Sequence, residues 1–152
     1  MENKRNRAYW VITVFLALSA LLLLMGQTMA IVNYDFAVQL GLQEDVTEVG
    51  EYGLQLNRAF GAADTLVYLP LILISLVGLF LRKRWSLTIT AAVMGISAYW
   101  ATTIVFMLFF LTGIPHYYLE PGIEYGLILG AYIIFGLWGM IYLAVRGERI
   151  VN

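Results

Sequence analysis

Residues 69–84 read LPLILISLVGLFLRKR. From Leu69 through Leu81 no residue is charged, and then Arg82, Lys83 and Arg84 follow without a gap. A lipid-spanning β-strand alternates apolar and polar positions. This run does not alternate, and LALSALLLLM at 16–25 does not either, so both read as buried helix. A basic block at the end of such a helix marks the cytoplasmic side of a membrane. The stretch therefore predicts an all-α, polytopic membrane protein.

Working outward, a bilayer core of about 30 Å needs roughly 20 apolar residues per helix at 1.5 Å rise. Stretches at about 9–32, 60–81, 85–111 and 123–145 qualify. They predict one transmembrane domain over 1–152, an antiparallel bundle of four helices, with a long outer loop at about 33–59. The first span is about twice as long as a signal-peptide core and reads as retained. Lys4, Arg5 and Arg7 precede it, Arg82 to Arg84 follow the second span, and Arg146 and Arg149 follow the fourth. Arg58 is the one basic residue on the other side, where Asp35, Glu44, Asp45, Glu48, Glu51, Asp64, Glu120 and Glu124 gather; Glu2 and Glu148 lie inside. Both termini are thus expected in the cytoplasm of a multi-pass cell or inner membrane.

The whole composition agrees. Of 152 residues, 61% are hydrophobic and 12% charged, with a net charge of −1, against about 25% charged in soluble domains. This excludes a soluble enzyme, a disordered tail and a nucleic-acid binder. No cysteine is present, which excludes disulfide scaffolds, thiol redox centres and Cys-ligated metals. His116 is the single histidine, so a multi-His metal or haem site within one chain is excluded. No metal or other cofactor is expected.

In the outer loop, 34–40 reads as a short helix stopped at Gly41, and Asp45 or Thr47 as the start of another. A helix from Glu51 to Leu81 would span about 46 Å, with Gly61 and Pro70 as its weak points. The tetrapeptide Glu51-Tyr52-Gly53-Leu54 recurs as Glu124-Tyr125-Gly126-Leu127; hairpin duplication and chance both remain open. Small residues mark packing faces: Ser19, Gly26 and Asn33 on span one; Ala91, Ala92, Gly95, Ser97 and Ala98 on span three; Gly126, Gly130, Gly136 and Gly139 on span four. Such faces let helices approach in lipid, within a chain or between subunits.

Three constellations could carry chemistry. Asn57, Gly61, Asp64 and Tyr68 share one helix face, and an acid at that depth turns inward. Arg58 is expected to pair with Asp64 or Glu124, and Glu44 to be a solvated loop acid. His116, Tyr117, Tyr118, Glu120 and Glu124 form an outer turn between Pro115 and Pro121, a weak metal or proton-relay signature. Thr88, Gly95, Tyr99, Trp100, Thr102 and Thr103, with Gln27, Tyr68 and Trp138, form a polar and aromatic band. It could be interhelical glue, or it could line a cavity for a sterol, quinone or lipid tail.

The four-span outline is similar to that of tetraspanins and claudins, but their outer-loop cysteines are absent here, as is the Cys-x-x-Cys of vitamin K epoxide reductases. Sterol-isomerase-like and DoxX-like proteins are similar in size and character, without a shared motif. No family is recognised, and no catalytic template is complete. Two readings follow. The first is a non-enzymatic bundle that binds a partner subunit, or a lipid or other apolar ligand, in its outer half at Gln27, Asp64, Tyr68, Tyr99 and Trp100. The alternative is an integral membrane enzyme or carrier for a lipid-like substrate, with Asp64 and Glu124 as proton-transfer groups.

Overall fold

A computed structural model describes residues 6–151, which contain helices and loops and no strand. Glu2, Lys4 and Arg5, expected on the cytoplasmic side, lie outside the described residues. Four helices are long and apolar enough to cross a membrane: α1 Arg7–Val32, α3 Val46–Phe80, α4 Trp85–Leu111 and α5 Ile123–Arg146. Two short helices complete the chain, α2 Tyr34–Gln39 and α6 Glu148–Val151. The third span has the expected limits. The helix expected to start at Asp45 or Thr47 starts at Val46 and continues into the second span, so the stretch at 33–59 is largely helical.

Local chemistry sets these limits. Asn6 caps α1 by accepting the Ala8 N–H at 2.7 Å. The end of α2 is a Schellman stop: Gly41 has φ +67°, its N–H donates to the Val38 carbonyl, and the Leu42 N–H donates to Ala37. Asp45 opens α3 with a capping box, accepting from Thr47 while Glu48 accepts the Asp45 N–H at 3.1 Å. Those bonds from the Thr47 side chain and backbone hold the exposed Asp45 carboxyl below its ordinary range. A depressed value means this contribution is complete at neutral pH and fades as pH falls through it.

The 35-residue α3 is about 52 Å long, and it is not straight. Its break is at Gly50, with φ +68° and ψ 173°, not at Gly61. A second irregularity precedes Pro70: residues Asp64–Tyr68 form a π-helical turn. Proline cannot donate within the helix and its ring crowds the preceding turn. The wider turn takes up that misfit, a recurrent cause of helix irregularity. In α1 a second π-helical turn, Leu23–Thr28, lies alongside, and the Thr28 and Thr65 hydroxyls share a hydrogen bond of 3.0 Å across the pair.

Packing follows three- and four-residue steps. Ile12, Leu16, Ser19 and Leu23 face inward from α1; Tyr68, Ile72, Ser75 and Leu79 from α3; Thr90, Val93, Ser97, Ala101 and Ile104 from α4; and Leu129, Tyr132, Gly136, Gly139 and Leu143 from α5. Outward positions carry large apolar residues, such as Leu66, Phe109, Ile134 and Val145, the distribution expected of helices solvated by hydrocarbon.

Two glycines admit the backbone of a neighbouring helix. A Cβ on Gly61 would stand 2.5 Å from the Gln27 carbonyl oxygen of α1, and one on Gly136 would stand 2.7 Å from the Met94 carbonyl oxygen of α4. Gly126 and Gly130 meet nothing and take no part in packing this chain. Helices α1 and α5 meet through rings, with Phe15 against Tyr132 and Phe135, and the Asn6 amide donates to the Tyr142 hydroxyl at 2.8 Å. Arg84 and Glu148 form an exposed ion pair at 3.6 Å, so the 82–84 turn and α6 lie at one end of the bundle, the end at which Asn6 meets Tyr142. The opposite end carries α2, the start of α3 and the 112–122 loop.

Gly136→Ala should therefore destabilise the protein by about 1–3 kcal/mol, and Gly61→Ala similarly, whereas Gly130→Ala should be neutral. Thermal melts in detergent check this ranking. In the cysteine-free chain, a cysteine at Lys83 should resist a membrane-impermeant maleimide applied to intact cells, and one at Glu51 should react. The reverse pattern would invert the expected orientation.

Candidate functional site

At the end opposite the basic turn, the chain closes around a single carboxylate. Glu44 Oε2 accepts from the Asn57 amide of α3 at 2.7 Å, and Glu44 Oε1 accepts from the Tyr125 hydroxyl of α5 at 2.9 Å. The Tyr34 hydroxyl donates to the Glu44 carbonyl at 2.9 Å and accepts from Asn57 at 3.0 Å. Glu44 is thus a structural node, not the solvated loop acid expected. Tyr117 also faces it. Burial, reinforced by the Glu44 charge, pushes the Tyr34 and Tyr117 phenols above their ordinary values. Raised phenols stay neutral in the fold, so their contribution is complete below about pH 10 and is lost as pH rises beyond it.

The Gly50 break seats the next segment. A Cβ there would stand 3.2 Å from the His116 carbonyl oxygen, and the Tyr118 N–H donates to the Glu48 carbonyl at 2.6 Å. The 112–122 loop is thereby docked on the first turns of α3. His116 is exposed in a left-handed conformation, φ +68°. Among the described residues no three His, Cys, Asp or Glu side chains gather to hold a metal.

Between these segments and the helices lies a cavity of about 770 Å³, within the range of small-molecule sites. Its mouth carries Glu44, Glu48, Glu51, Glu120 and Glu124, its walls Leu56, Met107 and Leu129, and its floor Tyr68, Trp100 and Tyr132. Gln27 also lines it, and the Gln27 Oε1 atom is buried without a hydrogen-bond partner.

Beneath the floor sits Asp64, 6% exposed. The Trp100 indole faces its carboxyl, yet neither Asp64 Oδ2 nor Trp100 Nε1 completes a hydrogen bond. Tyr68 and Tyr132 both stand near enough to feel its charge. The Ser97 hydroxyl donates to the Val93 carbonyl at 3.0 Å, so the Tyr68 hydroxyl is the donor in its bond to Ser97.

The structure thus brings Gln27, Tyr68 and Trp100 to one cavity and sets Asp64 directly behind them. It does not bring in Tyr99, which is 75% exposed on the outward side of α4, one residue from the inward Trp100. Arg58 is exposed and pairs with neither Asp64 nor Glu124. Arg58 and Asp64 are six residues apart on a continuous helix, and no bend at Gly61 turns them together. Glu124 is exposed at the mouth. The two copies of Glu-Tyr-Gly-Leu have different surroundings: Tyr52 is 81% exposed, whereas Tyr125 holds Glu44. Sequence reasoning missed Glu44, Tyr125 and Tyr132. The two tyrosines carry a signal, since Tyr125 and Tyr132 are seven residues apart on one face of α5; Glu44 carries none.

No protein-family model matches this chain, and no curated protein or solved structure matches it.

Glu44→Ala removes a charged acceptor from two donors and should cost about 2–3 kcal/mol in a detergent melt, since bonds to charged groups contribute roughly 1.5–3 kcal/mol. Arg58→Ala should shift the same melt by no more than a lipid-remote surface control, within about 0.5 kcal/mol.

Proposed function

We propose that the protein is a non-enzymatic, multi-pass membrane protein that holds a small apolar or amphiphilic molecule in the cavity of its outer half. The observation that carries this is the cavity itself: it lies at the end away from the basic turn, reaches the aromatic side chains of Tyr68, Trp100 and Tyr132, and retains unpartnered polar atoms at Gln27 and Trp100. Ligand sites have this form, an apolar enclosure with few polar points. The charge pattern supports a cytoplasmic position for both termini, which places the mouth on the outer side.

Two other readings are weaker. Proton transfer by Asp64 and Glu124 is disfavoured because one lies beneath the floor and the other is exposed at the rim. A partner subunit is supported by the open Gly126 and Gly130 face of α5, which would admit a second helix.

Native mass spectrometry from a gentle detergent tests the first reading. The wild-type chain should retain one small molecule, and Leu56→Trp, which adds bulk to the α3 wall, should lose it while its melt is unchanged. A bare-chain mass for both counts against the cavity reading. A mass of two chains, abolished by Gly130→Leu, would support the subunit reading instead.

A further inference from the structure

Resting on that ligand-binding reading, we infer that the cavity selects lipophilic cations: organic cations with an aromatic or alkyl body, whose charge is answered by Asp64 behind the floor. Three independent observations converge. First, among the described residues no Lys or Arg lines the cavity, while Glu44, Asp45, Glu48, Glu51, Glu120 and Glu124 do. A cleft lined by one sign of charge concentrates ligands of the opposite sign and repels anionic head groups. Second, the floor is made of Tyr68, Trp100 and Tyr132, and aromatic faces attract cations through their quadrupoles, tryptophan most strongly. Trp100 and Tyr132 pack with ring centroids 5.7 Å apart, so this surface is continuous.

Third, Asp64 lies behind that surface with an unsatisfied carboxyl oxygen. Acids at membrane depth pair with a cation or mark a substrate path. The described residues place no basic side chain against Asp64: Arg58 is turned outward, and the neighbours that face the carboxyl are Trp100, Tyr68 and Tyr132. Among the described residues, none supplies Asp64 with a counter-charge. An anion is rejected twice, at the mouth and at the floor. A neutral ligand fills the walls but leaves Asp64 unanswered. A cation with an apolar body satisfies walls, floor and acid together.

The test uses the full chain in nanodiscs of zwitterionic phosphatidylcholine, with empty discs subtracted and quenching of tryptophan emission as the readout. The probes are tetraphenylphosphonium, triphenylphosphine oxide as a neutral analogue and tetraphenylborate as an anionic one. The phosphonium should bind at least about tenfold tighter than the oxide, roughly 1.4 kcal/mol, and the borate should not bind. Asp64→Asn should weaken phosphonium binding to the level of the oxide. Equal binding of phosphonium and oxide overturns the cation inference and leaves the cavity reading standing; no binding of either overturns both. A cation preference that survives in Asp64→Asn overturns the role of Asp64. Dicyclohexylcarbodiimide labelling of wild-type protein, mapped by peptide mass, gives the same answer without a variant. Phosphonium should protect Asp64 and the oxide should not; an unprotected Asp64 at saturating phosphonium overturns the inference.

Discussion

The arrangement of the bundle depends on one absent methyl group in each of two helix pairs. Gly61 lets α3 rest its backbone against the Gln27 carbonyl of α1, and Gly136 lets α5 do the same against Met94 of α4. In hydrocarbon there is no hydrophobic drive between helices, so close backbone approach must hold them. The two pairs are tight at these levels, and the aromatic contacts of Phe15 bridge the remaining gap between α1 and α5. Towards the end opposite the basic turn no glycine contact of this kind joins α3 to α5. The space there is spanned by longer polar links, and that is where the cavity lies.

The irregular turns follow from the same constraint. A proline in a membrane helix leaves backbone groups to be satisfied locally, and the π-helical turn at Asp64–Tyr68 meets that demand just before Pro70. Both ends of that turn are buried, which delivers Asp64 and Tyr68 to the bundle interior together. The matching turn in α1 keeps Thr28 opposite Thr65. A helix defect, a buried acid and the aromatic floor are thus parts of one local geometry.

Much of this was legible in the chain. The uncharged run ending at Arg82 marks the end of α3, Gly41 marks the stop of α2, and Asp45 with Glu48 marks the start of α3, because each is a local rule acting over a few residues. The inward face of Asn57, Gly61, Asp64 and Tyr68 was legible by periodicity. Tyr99 was not, because α4 is apolar on every side and its phase cannot be read from hydropathy. The Gly50 break was obscured by a helical pattern that continues through it; it is stabilised by His116 and Tyr118, residues remote in sequence. Arg58 and Glu44 exchanged roles for the same reason, since what decides between them is the distant Tyr125.

Glu44 has a consequence for cooperativity. One carboxylate and its own backbone carbonyl join α2, α3 and α5 through Tyr34, Asn57 and Tyr125. Asn57 also donates to the Tyr34 hydroxyl, which donates to the Glu44 carbonyl, and bonds linked in such a chain polarise and strengthen one another. The segments of the mouth are therefore tethered through one residue, so displacing Glu44 removes the link of α2, α3 and α5 to each other at one stroke.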